Sequence, residues 1–117
     1  MNIINGYRQQ VNVAPALSRW SGAEACADSQ AESDSQTGAA HGAFGRCGEH
    51  AQNECPGWGS VDDILEGCLR MMFDEGPGEP YSAHGHYINM TNPAHTRVAC
   101  GFYQGPDGRW WAVQDFQ

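Results

Sequence analysis

The chain has 117 residues, enough for one hydrophobic core but too few for two, so we expect a single domain over residues 1–117. Hydrophobic residues make up 40% of the sequence and charged residues 17%. This composition is typical of a globular protein, and no apolar run is long enough to span a bilayer. With 14 acidic against 6 basic residues, the formal net charge is -8. Such a chain repels phosphate backbones and anionic headgroups, which argues against nucleic acid and lipid surfaces as partners.

The cysteines are the most informative part of the composition. There are five, at Cys26, Cys47, Cys55, Cys68 and Cys100. None belongs to a C-x-x-C pair of the kind that binds structural zinc, so disulfides and a secreted or extracellular location are favoured. The odd number leaves at least one thiol unpaired, and we expect Cys47 and Cys55 to pair within one loop. The chain begins at Met1 without the basic and apolar segments of a signal peptide, so we expect any such peptide to have been removed.

The first third of the chain predicts two helices. Apolar residues recur at helical spacing between Ile3 and Val11, which predicts a short helix before the break at Pro15. A narrow stripe of alanines and larger apolar residues then predicts a second helix over about residues 17–33.

The middle of the chain predicts a long loop followed by a third helix. Residues 39–59 show no hydrophobic period and are rich in Gly, Cys, His and Asn, which is typical of functional or cross-linked loops. Ser60 followed by Asp63 resembles a capping box. Apolar residues from Val61 onward recur at helical spacing and predict a helix that ends near Gly76.

The last third predicts strands, in three runs at residues 86–90, 97–103 and 109–116. The last two flank Gly105-Pro106-Asp107-Gly108, a strong turn signal, so they should form an antiparallel hairpin. Helices followed by an antiparallel sheet indicate the α+β class. Helices on both faces would make a three-layer α-β-α sandwich with a central antiparallel sheet.

Glu75 is a candidate functional residue because of its place on the third helix. The apolar stripe of that helix, extended past Met72, puts Glu75 on the buried face, where an unpaired carboxylate is costly. We therefore expect Glu75 to have partners. The alternative is that the helix frays before Glu75 and the side chain points to water.

Two pairs of residues could bind a metal or move protons. His84 and His86 lie two apart in a predicted strand and would share a face, an arrangement that can chelate a metal. The alternative for both is a structural, hydrogen-bonded role. His41 and Glu49 lie in the Gly-rich loop, where imidazoles and carboxylates together suit zinc with an open water position, general acid-base catalysis without metal, or simple scaffolding.

Six short motifs follow one another along almost the whole chain. They are Leu17-x-x-Trp20, His41, Gly48-Glu49, Phe73-x-Glu75, Gly85-His86-Tyr87 and Trp111-Ala112-Val113-Gln114-Asp115-Phe116. In this order they resemble the CAP superfamily, which includes cysteine-rich secretory proteins, insect venom allergens and plant pathogenesis-related proteins. The resemblance implies an α-β-α sandwich, which agrees with the predicted order of elements, and a cleft that contains two histidines and two glutamates.

Carried over residue by residue, the resemblance places that cleft at His41, Glu49, Glu75 and His86. It implies that the two histidines bind a divalent metal, usually zinc, while the two glutamates support the histidines or hold a water molecule. Where the family usually has Asn after the first glutamate, this chain has His50, a candidate for an additional ligand or hydrogen-bond donor.

These features favour a secreted, non-enzymatic binding module whose cleft holds a divalent metal, or a lipid, sterol or protein ligand. A second hypothesis is a zinc-dependent peptidase or esterase that uses the same two histidines, with Glu49 or Glu75 activating water and His50 or His84 as a third ligand. A third hypothesis is a structural extracellular module whose cleft residues form a hydrogen-bonded network.

Overall fold

Helices cover both faces of a four-stranded sheet in the computed structural model, which describes residues 1–117. The helices are α1 (Asn2–Gln10), α2 (Glu24–Thr37), α3 (Val61–Asp63, a π-helical turn at Ile64–Cys68, and Leu69–Asp74) and α4 (Tyr81–Thr91). The strands are β1 (Ser18–Arg19), β2 (Ala51–Trp58), β3 (Arg97–Gln104) and β4 (Trp110–Phe116), in the order β1-β3-β4-β2. Only β1 and β3 are parallel; the other pairs are antiparallel. The predicted α-β-α sandwich is confirmed, with a short parallel strand added at one edge of its sheet.

One face of the sheet is covered by α1, α3 and α4 and carries the larger core. Its buried members are Ile4, Leu17, Cys55, Ile64, Cys68, Leu69, Met72, Met90, Val98, Ala112 and Phe116. The start of α3 is fixed as the sequence predicts, because the Ser60 hydroxyl accepts a hydrogen bond from the backbone N–H of Asp63 at 3.0 Å. The large apolar side chains of α3 and α4 pack against this face and fill the space between the helices and the sheet.

The other face is covered by α2 and is built from small residues. Its core contains Ala23, Ala27, Ala31, Ala99 and Val113. The helix lies so close to β3 that a Cβ on Gly101 would stand 2.1 Å from the carbonyl carbon of Ala27. Only glycine at this strand position allows so close an approach.

The second helix starts later than predicted. Residues 17–20 do not form its first turn, because the N–H groups of Ser18 and Trp20 donate to the carbonyls of Thr96 and Val98, both at 2.9 Å. These bonds make β1. The helix begins only at Glu24 and ends at Thr37, where Gly38 adopts a left-handed conformation.

Two further predictions of secondary structure are wrong. The predicted loop at 39–59 contains β2, whose pairing with β4 organises a polar segment that lacks the β-branched residues typical of strands. The predicted strand at 86–90 belongs to α4, which buries Met90 and Thr91. A short apolar run fits either a strand or a buried helix, and here packing across the sheet selects the helix. The predicted hairpin of β3 and β4 is confirmed.

The cysteines pair differently from the prediction. The disulfides are Cys26–Cys47 and Cys55–Cys68, and Cys100 is free. The predicted Cys47–Cys55 bridge is wrong because β2 directs Cys55 toward α3, whereas the loop before β2 brings Cys47 to α2. The expected unpaired thiol is Cys100, and burial raises its pKa. No helix combines the length and apolar character needed to cross a membrane.

Candidate functional site

A cleft opens beside the first residues of the edge strand β2, between the loop at 38–50 and α4. It consists of two adjoining cavities of about 540 Å³ and about 230 Å³. Both are lined by His41, Gln52, Tyr81 and Asn89, so they form one continuous space. The smaller cavity is also lined by His86, and the larger one by His50 and His95.

His41 is held in place by two hydrogen bonds and has an unusual backbone conformation. Its φ is 63°, the left-handed region that non-glycine residues seldom adopt. Its backbone N–H donates to Glu54 Oε1 at 3.0 Å, and its Nδ1 lies 2.9 Å from Gln52 Oε1. Glu54 Oε1 is 3.9 Å from the same Nδ1, too far for a hydrogen bond. The imidazole therefore pairs with Gln52 and stays 43% exposed in the cleft.

Glu75 and His86 form the second imidazole pair of the site. Glu75 Oε2 lies 2.7 Å from His86 Nδ1, and Glu75 Oε1 accepts the backbone N–H groups of His86 at 3.0 Å and Tyr87 at 3.3 Å. Glu75 thus has the partners that its inward position requires, and it joins the end of α3 to α4. The alternative of a frayed helix with Glu75 directed only to water does not hold.

His84 does not share a face with His86. Because the segment is helical, two residues that are two apart point about 200° apart, to opposite sides. His84 Nδ1 lies 2.8 Å from the carbonyl oxygens of both Glu75 and Gly76. His84 therefore fastens the C-terminal end of α3, and the predicted H-x-H chelate is wrong.

Glu49 lies outside the cleft, contrary to the expectation carried over from the family resemblance. Its side chain is buried under α2, where its carboxylate accepts Gln30 Nε2 at 2.7 Å and the backbone N–H groups of Gly45 and Cys47. The oxygen that contacts His41 comes instead from Gln52, three residues later on β2. Sequence reasoning missed Gln52 because the strand that positions it was predicted as a loop.

The remaining candidate ligand, His50, is exposed at the mouth of the larger cavity and lies beside His95 rather than in the His86 cavity. Burial lowers the pKa of His95, and the nearby positive groups of Arg8 and His50 lower it further. These two histidines therefore add polar groups to the wider half of the cleft.

Four buried carboxylates lie behind the cleft without a lysine or arginine partner. They belong to Asp34, Glu49, Glu54 and Asp115. Burial raises the pKa of Glu54 to about 8, and its contact with Asp34 adds to the rise. Burial also raises the pKa of Asp115 to about 7, with the charges of Glu49 and Asp34 adding to it and the hydrogen bond from Gln52 opposing it.

Two sets of residues in or behind the cleft carry atoms that metals bind in proteins. Atoms of Cys47, Glu49 and Asp115 lie within 4.8 Å of one another, but the sulfur of Cys47 is bonded to Cys26 and supplies no thiolate. In the cleft, His41 and His86 both line the smaller cavity, and each has its Nδ1 engaged by an oxygen. This is the support that metal-binding imidazoles have in proteins, since it leaves Nε2 free as a ligand. His41 and His86 are therefore the candidate metal ligands of the cleft.

Comparison with known proteins identifies the family. The family model for the cysteine-rich secretory proteins, CAP, matches residues 1–116, so the chain belongs to the CAP family. A crystal structure of hookworm platelet inhibitor matches with a TM-score of 0.68 and 15% sequence identity, over 99% of this chain and 65% of that chain. At this identity the likeness shows the fold alone, and the present chain spans 65% of the length of the hookworm chain. No curated protein matches the sequence.

Proposed function

We propose that this CAP protein is a non-enzymatic binding module that holds a divalent metal, zinc by preference, between the Nε2 atoms of His41 and His86. The observation that carries the proposal is the matched support of the two rings. Gln52 and Glu75 each place an oxygen at Nδ1, at 2.9 Å and 2.7 Å, which orients both imidazoles in one cavity. Neutral imidazole nitrogens are good zinc ligands, and the remaining coordination positions stay open to water or to a bound ligand.

The larger cavity supplies room for that ligand. Its volume of about 540 Å³ is of the size that holds small organic molecules in proteins. Phe44 and Tyr81 are exposed at its wall, and Ile88 adds apolar surface beside the amides of Asn89 and Asn92. This lining suits a ligand with an apolar body and a few hydrogen-bonding groups, of which a lipid or sterol is one class.

The positions of the two glutamates favour binding over hydrolysis. A zinc hydrolase would need a carboxylate free to activate the metal-bound water. Glu49 is buried away from the cleft, and Glu75 is engaged by the His86 ring and by two backbone N–H groups. In this arrangement Glu75 serves to orient His86.

The test is calorimetric titration of metal-free protein with zinc at neutral pH. We expect one zinc per chain in the wild type. His41→Ala and His86→Ala should each weaken binding by more than the roughly 10–100-fold that loss of a supporting partner costs. His50→Ala, which removes an exposed histidine of the larger cavity, is the matched control and should bind zinc like the wild type.

Two results would contradict the proposal. One is an unchanged zinc affinity in the double variant His41→Ala/His86→Ala, or no zinc uptake by the wild type. The other is hydrolysis of a peptide or ester panel by zinc-loaded wild type above the level of Glu75→Gln, which would establish the enzymatic alternative.

Export to an oxidising compartment is part of the proposed function. Its support is the CAP family membership and the two disulfides. Mass spectrometry of the natively produced protein, unfolded and alkylated without reductant, should find a single modified cysteine at Cys100. Alkylation at all five cysteines would contradict secretion.

A further inference from the structure

A chain of buried amides runs from two of the carboxylates behind the cleft to His41. Gln30 Nε2 donates to Glu49 Oε1 at 2.7 Å and to the carbonyl of Ala43 at 3.0 Å. Gln52 Nε2 donates to Gln30 Oε1 at 3.2 Å and to Asp115 Oδ1 at 2.9 Å. Both hydrogens of each amide group are used, so each amide has one orientation in which every contact is satisfied.

The orientation of the two amide groups is set at the buried ends of this hydrogen-bonded network. The oxygens of Glu49 and Asp115 and the carbonyl of Ala43 accept hydrogen bonds at the buried ends, so amide nitrogens face them. The amide oxygen of Gln52 is then turned toward His41. Since an oxygen cannot donate, the proton between Gln52 Oε1 and His41 Nδ1 must be carried by the imidazole.

We propose that Asp115 and Glu49 are positioning residues that act through Gln52 to hold His41 in the Nδ1–H tautomer, with the Nε2 lone pair free for a ligand. All four side chains of this hydrogen-bonded network are buried: Gln30, Glu49, Gln52 and Asp115 are each at most 5% exposed. Water therefore does not compete for these groups, and reversing one amide would leave two nitrogens or two oxygens facing each other.

This role explains why Gln52 can take the place of a carboxylate beside His41. A carboxylate accepts from the imidazole in any orientation, whereas an amide does so only if its other end is fixed. Asp115 and Glu49 supply that fixed end. The link to metal affinity rests on the proposed function, whereas the tautomer of His41 does not.

The first test is nitrogen-15 NMR of the imidazole rings in metal-free wild type at pH 8.5, above the pKa of about 7 of Asp115. We expect His41 to be protonated at Nδ1. A predominant Nε2–H tautomer would overturn the inference, and this readout needs no variant.

The second test uses Asp115→Asn/Glu49→Gln, which keeps the shapes but replaces both acceptors with groups that also donate. The Nδ1–H to Nε2–H ratio of His41 should fall by about tenfold or more, and zinc affinity by about 10–100-fold. Asp34→Asn is the control, because Asp34 is an equally buried carboxylate that bonds neither Gln30 nor Gln52. An unchanged tautomer ratio in the double variant would overturn the inference.

The third test is the exchange Gln52→Glu/Asp115→Asn, which reverses donor and acceptor between these two positions and leaves Gln30 Oε1 without the donor that Gln52 Nε2 supplies. It should return His41 to the Nδ1–H tautomer and restore zinc affinity relative to Asp115→Asn alone. A predominant Nε2–H tautomer in the exchange variant would overturn the inference. If the wild type binds no zinc but the variants show the expected tautomer changes, the proposed function is wrong and the positioning role stands.

Discussion

The face of the sheet under α2 and the face under α1, α3 and α4 are packed with different kinds of residue. Under α2 the core is alanine, valine and a glycine contact, and the remaining buried positions are polar. Under the other three helices the core is leucine, isoleucine, methionine and phenylalanine. One disulfide belongs to each face, Cys26–Cys47 at α2 and Cys55–Cys68 at α3.

The difference shows how one sheet carries both a stable core and a polar site. Small residues bring the backbone of α2 close to the sheet, and the space beyond the alanines is filled by the glutamines and carboxylates that reach His41. The apolar face supplies most of the buried hydrophobic area, which is the dominant favourable contribution to folding. Substitutions that add volume on the α2 face, and changes in pH that alter its buried carboxyl groups, should therefore lower the stability of the protein. On the opposite face, stability should fall when buried side chains are made smaller.

The largest effect is expected from Gly101→Ala. The new Cβ would lie 2.1 Å from the carbonyl carbon of Ala27 and 2.4 Å from its oxygen, so α2 must move away from the sheet. We expect the free energy of unfolding to fall by about 3 kcal/mol or more, at or beyond the upper end for overpacking. Urea denaturation followed by circular dichroism measures it.

The control for that substitution is Gly6→Ala in α1, where a Cβ would meet nothing within 4 Å. It should stabilise the protein by about 0.5–1 kcal/mol, because alanine is the better helix former. If Gly101→Ala did not lower the free energy of unfolding relative to Gly6→Ala, the close approach of α2 to the sheet would not determine how this face packs.

The next effect concerns the disulfides. Removing either bridge as a double alanine variant should cost about 3 kcal/mol from loop closure, since the two separations, 21 and 13 residues, are similar on a logarithmic scale. Cys55→Ala/Cys68→Ala should cost more than Cys26→Ala/Cys47→Ala, because only Cys55 and Cys68 belong to the buried apolar core. The midpoints of thermal unfolding of the two double variants measure this. A lower midpoint for Cys26→Ala/Cys47→Ala than for Cys55→Ala/Cys68→Ala would contradict the conclusion that large apolar side chains pack the face covered by α3.

The last prediction concerns the pH dependence of stability that arises from Glu54. Its pKa is about 8 in the folded protein against an ordinary value of 4.5, so the folded state holds the proton more tightly than the unfolded chain. Stability from this proton is complete below about pH 4.5 and is lost as the pH rises through about 8. Glu54→Gln should therefore match the wild type near pH 5 and be the more stable protein near pH 9.

Denaturation at both pH values tests this, with Glu66→Gln on the exposed side of α3 as the matched control. A Glu54→Gln variant that gains no stability over the wild type between pH 5 and pH 9 would show that Glu54 is ionised in the fold throughout.

The parts of the fold that the sequence predicts well are those encoded by neighbouring residues. The hairpin of β3 and β4 follows from its Gly-Pro-Asp-Gly turn, and the start of α3 follows from Ser60. By contrast, β2 has no local strand signal and exists because β4 offers it a partner. In the site, Glu75 and His86 were predicted and do pair, whereas Glu49 was predicted and lies elsewhere.

By itself the sequence determined the class of fold, the CAP family, two residues that line the cleft, His41 and His86, and Glu75 as a residue with partners, because helical periodicity, turn residues and short motifs are local properties. Only the tertiary structure decided that Gln52, and not Glu49, meets His41, and that the disulfides join α2 to its loop and β2 to α3. The physical reason is the strand β2: its pairing with β4 is a contact between residues far apart in the chain, and that pairing places Gln52 between Asp115, Gln30 and His41.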